Sequence, residues 1–166
     1  MTGVEAEVRP HPDGHDLGPG VGMLWIRSSS MMAGYLSPTG IDTNHLIDGW
    51  FKTGDLARID ASGSINLKGR DSEVINVSGM KVIPCDVEGV LATMSGVLEV
   101  KVYAGTRRSG EQFVKAALVL DDGVDVAAVR HHCEQHLVYY KRPQQFIPLA
   151  ALPRTPAGKI IRQQLP

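Results

Sequence analysis

The sequence predicts an α+β chain in two parts, a β-rich N-terminal lobe over residues 1–70 and a small α+β domain over residues 71–166. Three observations carry that prediction. The first seventy residues are short alternating or apolar runs punctuated by glycine and proline turns, with no long helical period. Behind Gly69-Arg70 the texture changes, and two helical patterns appear, one opened by Pro84 and one by Asp125. Two strand patterns lie between those helices. At 166 residues the chain can bury a real core, as one large domain or two small ones.

The elements follow in order. Residues 4–8 alternate apolar and polar, the period of a half-buried strand. His11-Pro12-Asp13-Gly14 ends that run as a turn, and Gly18-Pro19-Gly20 is a second turn. Residues 23–26 are apolar and read as a buried strand. Residues 39–45 fit a single helical turn. Residues 56–60 and 64–68, separated by Ala61-Ser62-Gly63, read as a hairpin with a three-residue loop.

Past a boundary at residues 70–72, the runs 74–77 and 80–83 flank Ser78-Gly79 as a tighter hairpin. Pro84 suits a first helical position, and Asp86 and Glu88 sit where the helix dipole favours anions. Val87, Val90, Leu91 and Met94 give that helix one apolar face. Leu98, Val100, Val102 and Ala104 alternate with Glu99, Lys101 and Tyr103, which is a strand; residues 113–120 are nearly all apolar, a central strand. Asp125 caps a helix to about residue 137, with Val126, Val129 and Cys133 inward.

Bulk properties exclude several function classes. A formal charge of −1 supplies no global field for nucleic acid or an anionic membrane. No run approaches the ~18 apolar residues of a membrane span, and the N-terminus lacks the basic and apolar regions of a signal peptide. Cys85 and Cys133 fall in different helices and read as reduced thiols, so the expected location is cytoplasmic. His132 and His136 are four apart on a helix with Cys133 between them, a spacing that can hold a metal. No third ligand accompanies them, so a solvated face is the reading for both and for His131, and no metal site is expected. Lys141-Arg142 beside Tyr139-Tyr140 is too small a group for a nucleic-acid surface.

Three places carry residues suited to chemistry. In Thr155-Pro156-Ala157-Gly158-Lys159, the proline stiffens the approach, the glycine allows close backbone approach, and the lysine is a compact point charge. Such a cation suits a carboxylate attacking a phosphoryl group, where two anions must meet; the same segment also suits a plain surface lysine. It is not a nucleotide-binding P-loop, because isoleucine follows Lys159 and Pro153 stands where the first glycine belongs. Asp55, after Thr53-Gly54 at the expected start of a strand, offers an exposed carboxylate that matches vicinal ribose hydroxyls, or else bonds its own turn. Arg70 is placed either to clamp a ribose or phosphate or to form a surface ion pair.

In order, the chain reads Gly49-Trp50-Phe51-Lys52-Thr53-Gly54-Asp55-Leu56, then Gly69-Arg70 through Val77-Ser78-Gly79, then Pro84 with Val87-Glu88, then Leu152-Pro153-Arg154 through Lys159-Ile160. This succession resembles the acyl-adenylate-forming superfamily of acyl-CoA synthetases, peptide-synthetase adenylation domains and luciferases. The likeness runs from Gly20 onward and includes Met31-Met32-Ala33-Gly34-Tyr35. It looks nearer to short-chain or aryl acyl-CoA ligases, on the stretch from Val77 to Pro84.

The resemblance implies an ATP-dependent acid–thiol ligase that makes an acyl-adenylate and then a thioester. ATP/AMP, Mg2+ and coenzyme A or phosphopantetheine are the implied cofactors. Asp55 would hold the ribose hydroxyls with help from Arg70, and Lys159 would bridge the acyl carboxylate and the α-phosphate. Ser72 falls at the hinge, where the family usually carries aspartate or lysine, and Gly79 would line the pantetheine tunnel. Asn76 stands at a position that is often lysine, so that lysine's role does not carry over. Residues 1–70 would be the last β-subdomain of the large domain, and 71–166 the mobile C-terminal domain.

The family's phosphate-binding loop, its Tyr-Gly-x-Thr-Glu segment and the acyl pocket do not occur in this sequence. The expected partners are therefore a carboxylic acid, a thiol acceptor and the large N-terminal domain, on the same or another chain. The chain alone is expected to be inactive. Acylation of a carrier protein and a short non-catalytic partner of a separate large domain are the alternatives.

Overall fold

The computed structural model describes residues 3–166 and divides into two compact units, one ending at Ser72 and one running Glu73–Pro166. The first unit is all β: β1 (Val4–Arg9), β2 (Gly22–Ser28), β3 (Tyr35–Ser37), β4 (Gly40–Asp42), β5 (Leu46–Ile47), β6 (Trp50–Ile59) and β7 (Ile65–Arg70). One antiparallel sheet runs β1-β2-β6-β5, and β7 also pairs with β6. Its buried side chains include Met23, Leu24, Trp25 and Leu56, supplied by the two central strands. The β6–β7 hairpin turns on Asp60, whose Oδ1 accepts the backbone N–H groups of Ser62 and Ser64, an arrangement that turn aspartates favour.

Residues 39–45 are not helical. Pro38-Thr39 turns β3 into β4, with Ser37 opposite Gly40, and Gly40 at φ +126° lies outside the helical region. Asp42 Oδ1 then accepts the Asn44 N–H at 2.9 Å, a local bond that competes with helix and turns the chain toward β5.

The second unit comprises β8 (Ile75–Val77), β9 (Met80–Val82), α1 (Pro84–Leu91), β10 (Val97–Thr106), β11 (Gln112–Leu120), α2 (Val126–His136) and β12 (Gln145–Pro148). Pro84 opens α1, and the Asp125 carboxylate caps α2 by accepting the Ala128 N–H at 2.8 Å. β11 is central, antiparallel to β10 and parallel to β12. Both helices and the β8–β9 hairpin contribute to one core, in which Ile75, Val87, Leu91, Val102, Leu118 and Val129 are fully enclosed.

Two further features depart from the sequence expectation. β12 was not foreseen: four residues ending in proline show no measurable period, and only parallel pairing with residues 115–118 makes them a strand. Leu98, expected to alternate inward, is 62% exposed because it is the bulged residue between the Val97 and Glu99 pairings.

Candidate functional site

Asp55 sits on an irregularity built into β6. While β2 advances from Met23 to Trp25, its partner positions on β6 run from Leu56 to Lys52, so β6 bulges across residues 53–55. Gly54 takes φ +76° there, which glycine adopts without strain. Thr53 fastens the bulge: its hydroxyl donates to Leu24 O at 2.9 Å and accepts the Asp55 N–H at 3.0 Å. Asp55 is therefore within a ten-residue strand, not at the strand's start, and its side chain is only 27% exposed.

Arg70, the last residue of β7, lies directly opposite Asp55 in register. Its Nε meets Asp55 Oδ1 at 3.0 Å, and its Nη1 donates to Thr53 O at 3.1 Å. The guanidinium thus spans the bulge and fixes one carboxylate oxygen; among the described residues the other oxygen has no hydrogen-bond partner. A carboxylate held in this way keeps lone pairs available for a ligand's hydroxyls. Arg70 and Thr53 also line a hollow of about 490 Å³ with Tyr35, His45 and Phe51, whose rings contact one another at 5.7–6.3 Å. A larger hollow of about 640 Å³, walled by Pro10, His11, His15 and Ile59, lacks Arg70, and Asp55 lines neither hollow. The smaller one has the charged and aromatic lining that a nucleoside needs.

In the second unit, Lys159 occupies a tight turn that sequence reading located without its fastenings. Thr155 N–H donates to Lys159 O and Gly158 N–H to Thr155 O, both at 2.8 Å, while Thr155 Oγ1 accepts the Lys159 N–H at 3.1 Å. Arg154 donates to Gly158 O at 2.7 Å and pairs with Glu99 of β10, tying the turn to the sheet. The backbone is held while the Lys159 side chain is exposed, and among the described residues its ammonium has no hydrogen-bond or ion-pair partner.

Gly79 is on a different turn, between β8 and β9. Ser78 and Gly79 take φ +50° and +90°, the mirror-image turn that closes a two-residue hairpin, and Asn76 Oδ1 accepts the Gly79 N–H at 2.9 Å. A Cβ at Gly79 would meet no atom within 4 Å, so inside this chain glycine is required by backbone angle alone. Ser72 is exposed and belongs to a 3-10 turn, Asp71–Glu73.

Glu88, expected to serve the α1 dipole, does more. Its Oε1 accepts the Val102 N–H at 2.9 Å and pairs with Lys101 at 2.8 Å, so it covers a sheet-edge donor of β10. The signal available in sequence was an acid placed between Val87 and Leu91 on an apolar face. His132 Nε2 lies 3.1 Å from Val90 O, and the His132 and His136 rings stack at 4.3 Å. Among the described residues no group of three His, Cys, Asp or Glu side chains is arranged to hold a metal ion. Burial pushes the Cys133 thiol up to about 11, so it stays protonated. Among the described residues no helix is long and apolar enough to cross a membrane.

Residues 86–159 match the AMP-binding enzyme C-terminal domain. The chain carries the C-terminal domain of the acyl-adenylate-forming enzymes. It is 35% identical over 160 residues to the sulfoacetate–CoA ligase of Cupriavidus necator, covering 95% of this chain and 30% of that ligase. ATP-bound MatB from Rhodopseudomonas palustris superposes with a TM-score of 0.86 at 29% identity, over 98% of this chain and 33% of its own. The amide bond synthetase McbA from Marinactinospora thermotolerans gives 0.82 at 31% identity, over 98% and 34%. The chain therefore spans about a third of the length of each of these relatives.

Proposed function

We propose that this adenylate-forming domain chain acts in an ATP-dependent acid–thiol ligase reaction. A carboxylate displaces pyrophosphate from ATP to give an acyl-adenylate; a thiol then displaces AMP to give a thioester. The observation that carries the reading is the Lys159 ammonium, presented without a partner from a turn whose backbone is fixed on both sides. A fixed cation of this kind lowers the barrier where a carboxylate approaches the α-phosphate, because both reactants are anions and charge grows on the phosphoryl oxygens.

Asp55, oriented by Arg70, would take the ribose hydroxyls beside the aromatic hollow. Ser72 would be the hinge that withdraws Lys159 after the first half-reaction and brings the Gly79 turn to the thiol. Coenzyme A is the acceptor favoured by the likeness to a CoA ligase, and a carrier-bound phosphopantetheine is the alternative. The described residues contain no group of three His, Cys, Asp or Glu side chains placed to hold Mg2+, so its ligands would come from the large domain. The residues of the first unit would complete that large domain, and the chain by itself would release no pyrophosphate.

A chimera tests this, with the chain replacing the corresponding third of the Cupriavidus ligase. Lys159→Ala should slow acid-dependent pyrophosphate exchange by about 10²–10³-fold, the usual effect of removing one preorganised charge. Thioester formation from supplied acyl-adenylate should be spared. Equal loss of both half-reactions would contradict the assignment.

A further inference from the structure

We infer that His11 and Arg162 are positioning residues that confine the hinge to a single residue, Ser72. The inference rests on the hinge role proposed above and adds the parts that delimit it.

Three consecutive residues join the units, and their side chains are held unequally. Asp71 Oδ1 lies 2.9 Å from His11 Nε2, within the first unit. The Asp13 backbone N–H donates to His11 Nδ1 at 3.2 Å, so Nδ1 is an acceptor and Nε2 carries the proton that Asp71 receives. The His11 side chain is only 10% exposed. Glu73 is gripped within the second unit by Arg162, whose Nη1 and Nη2 engage Oε1 and Oε2, the forked geometry that fixes a carboxylate most firmly.

Ser72 stands between them, exposed, with no side-chain hydrogen bond among the described residues. The outer flanks are fixed as well: Arg70 is paired in β7, and Ile75 is fully buried in β8. Each tether acts wholly inside its own unit. Neither therefore resists rotation at Ser72, and both prevent the rotation from spreading to its neighbours. A one-residue pivot restricts the units to few relative orientations, which a two-position catalytic cycle requires.

The test uses the full chain with a donor and an acceptor fluorophore at exposed positions 67 and 98, one in each unit, read molecule by molecule. The freed length grows from one residue to two on losing either tether and to three on losing both. With excursions scaling as the square root of length, the distance distribution should broaden about 1.4-fold in His11→Ala or Arg162→Met and about 1.7-fold in the double variant. His11→Gln, which keeps a donor for Asp71, should restore the original width; Asp71→Ala should match His11→Ala and serves if that variant fails to fold. Unchanged widths in folded variants, or equal broadening with glutamine, would overturn the inference. Neither result depends on nucleotide chemistry, so a failed ligase assay and a failed pivot are told apart.

Discussion

At the residue scale, the two ends of the charge spectrum are a lysine kept in water and a cysteine kept out of it. Lys159 stands exposed on its turn. Cys133 is buried on α2 among Val102, Val114 and Val129 and serves as a small apolar side chain. Its thiol is pushed from the ordinary 9.0 to about 11 by burial. Below pH 9 the folded and unfolded chains both hold the proton, and the full stability is present. Between pH 9 and 11 the unfolded chain gives the proton up while the folded one keeps it, so stability falls as pH rises. Urea unfolding across that range should show a loss on the order of 2 kcal/mol that is absent from Cys133→Ala. Tyr103, also raised by burial, titrates in both proteins and cancels from the difference.

At the scale of elements, the β8–β9 hairpin separates backbone demand from ligand demand. Gly79→Ala meets open space but must hold a side chain at φ +90°, so it should cost the isolated chain roughly 1 kcal/mol, seen as a lower urea midpoint. If the thiol passes over this turn, the same substitution in the chimera should depress thioester formation well beyond that, and pyrophosphate exchange should hardly change. The hairpin was legible from Ser78-Gly79 between two apolar runs, as α1 was from Pro84 and α2 from Asp125, because each start or turn signal is local. What escaped was non-local. β12 exists only through pairing with β11, the Asp55 bulge only through β2, and the His11–Asp71 contact spans sixty residues. Asp55 and Arg70 were both named from sequence, but their pairing is a matter of register across β6 and β7, which no spacing along the chain reveals.

On the scale of the whole molecule, the two units differ in how well they are covered. The second unit has one contiguous core drawn from both helices and the three-stranded sheet. The first leaves Leu36 at 92%, Leu67 at 64% and Ile41 at 62% exposure, and among the described residues eight of the eleven large exposed apolar side chains belong to it. Leu36 and Ile41 are cross-strand partners on the β3–β4 hairpin, so they form one patch. The relatives are about three times longer, and a surface of this kind fits burial against the remainder of such a protein. In this chain alone the patch should drive self-association. Light scattering should show a mass that rises with concentration for the full chain, while residues 73–166 remain monomeric with a cooperative thermal transition. Leu36→Lys with Ile41→Glu places opposite charges across the strand pair and should return the full chain toward a monomer without lowering its melting temperature. A full chain that stays monomeric at every concentration would mean that the hairpin needs no cover.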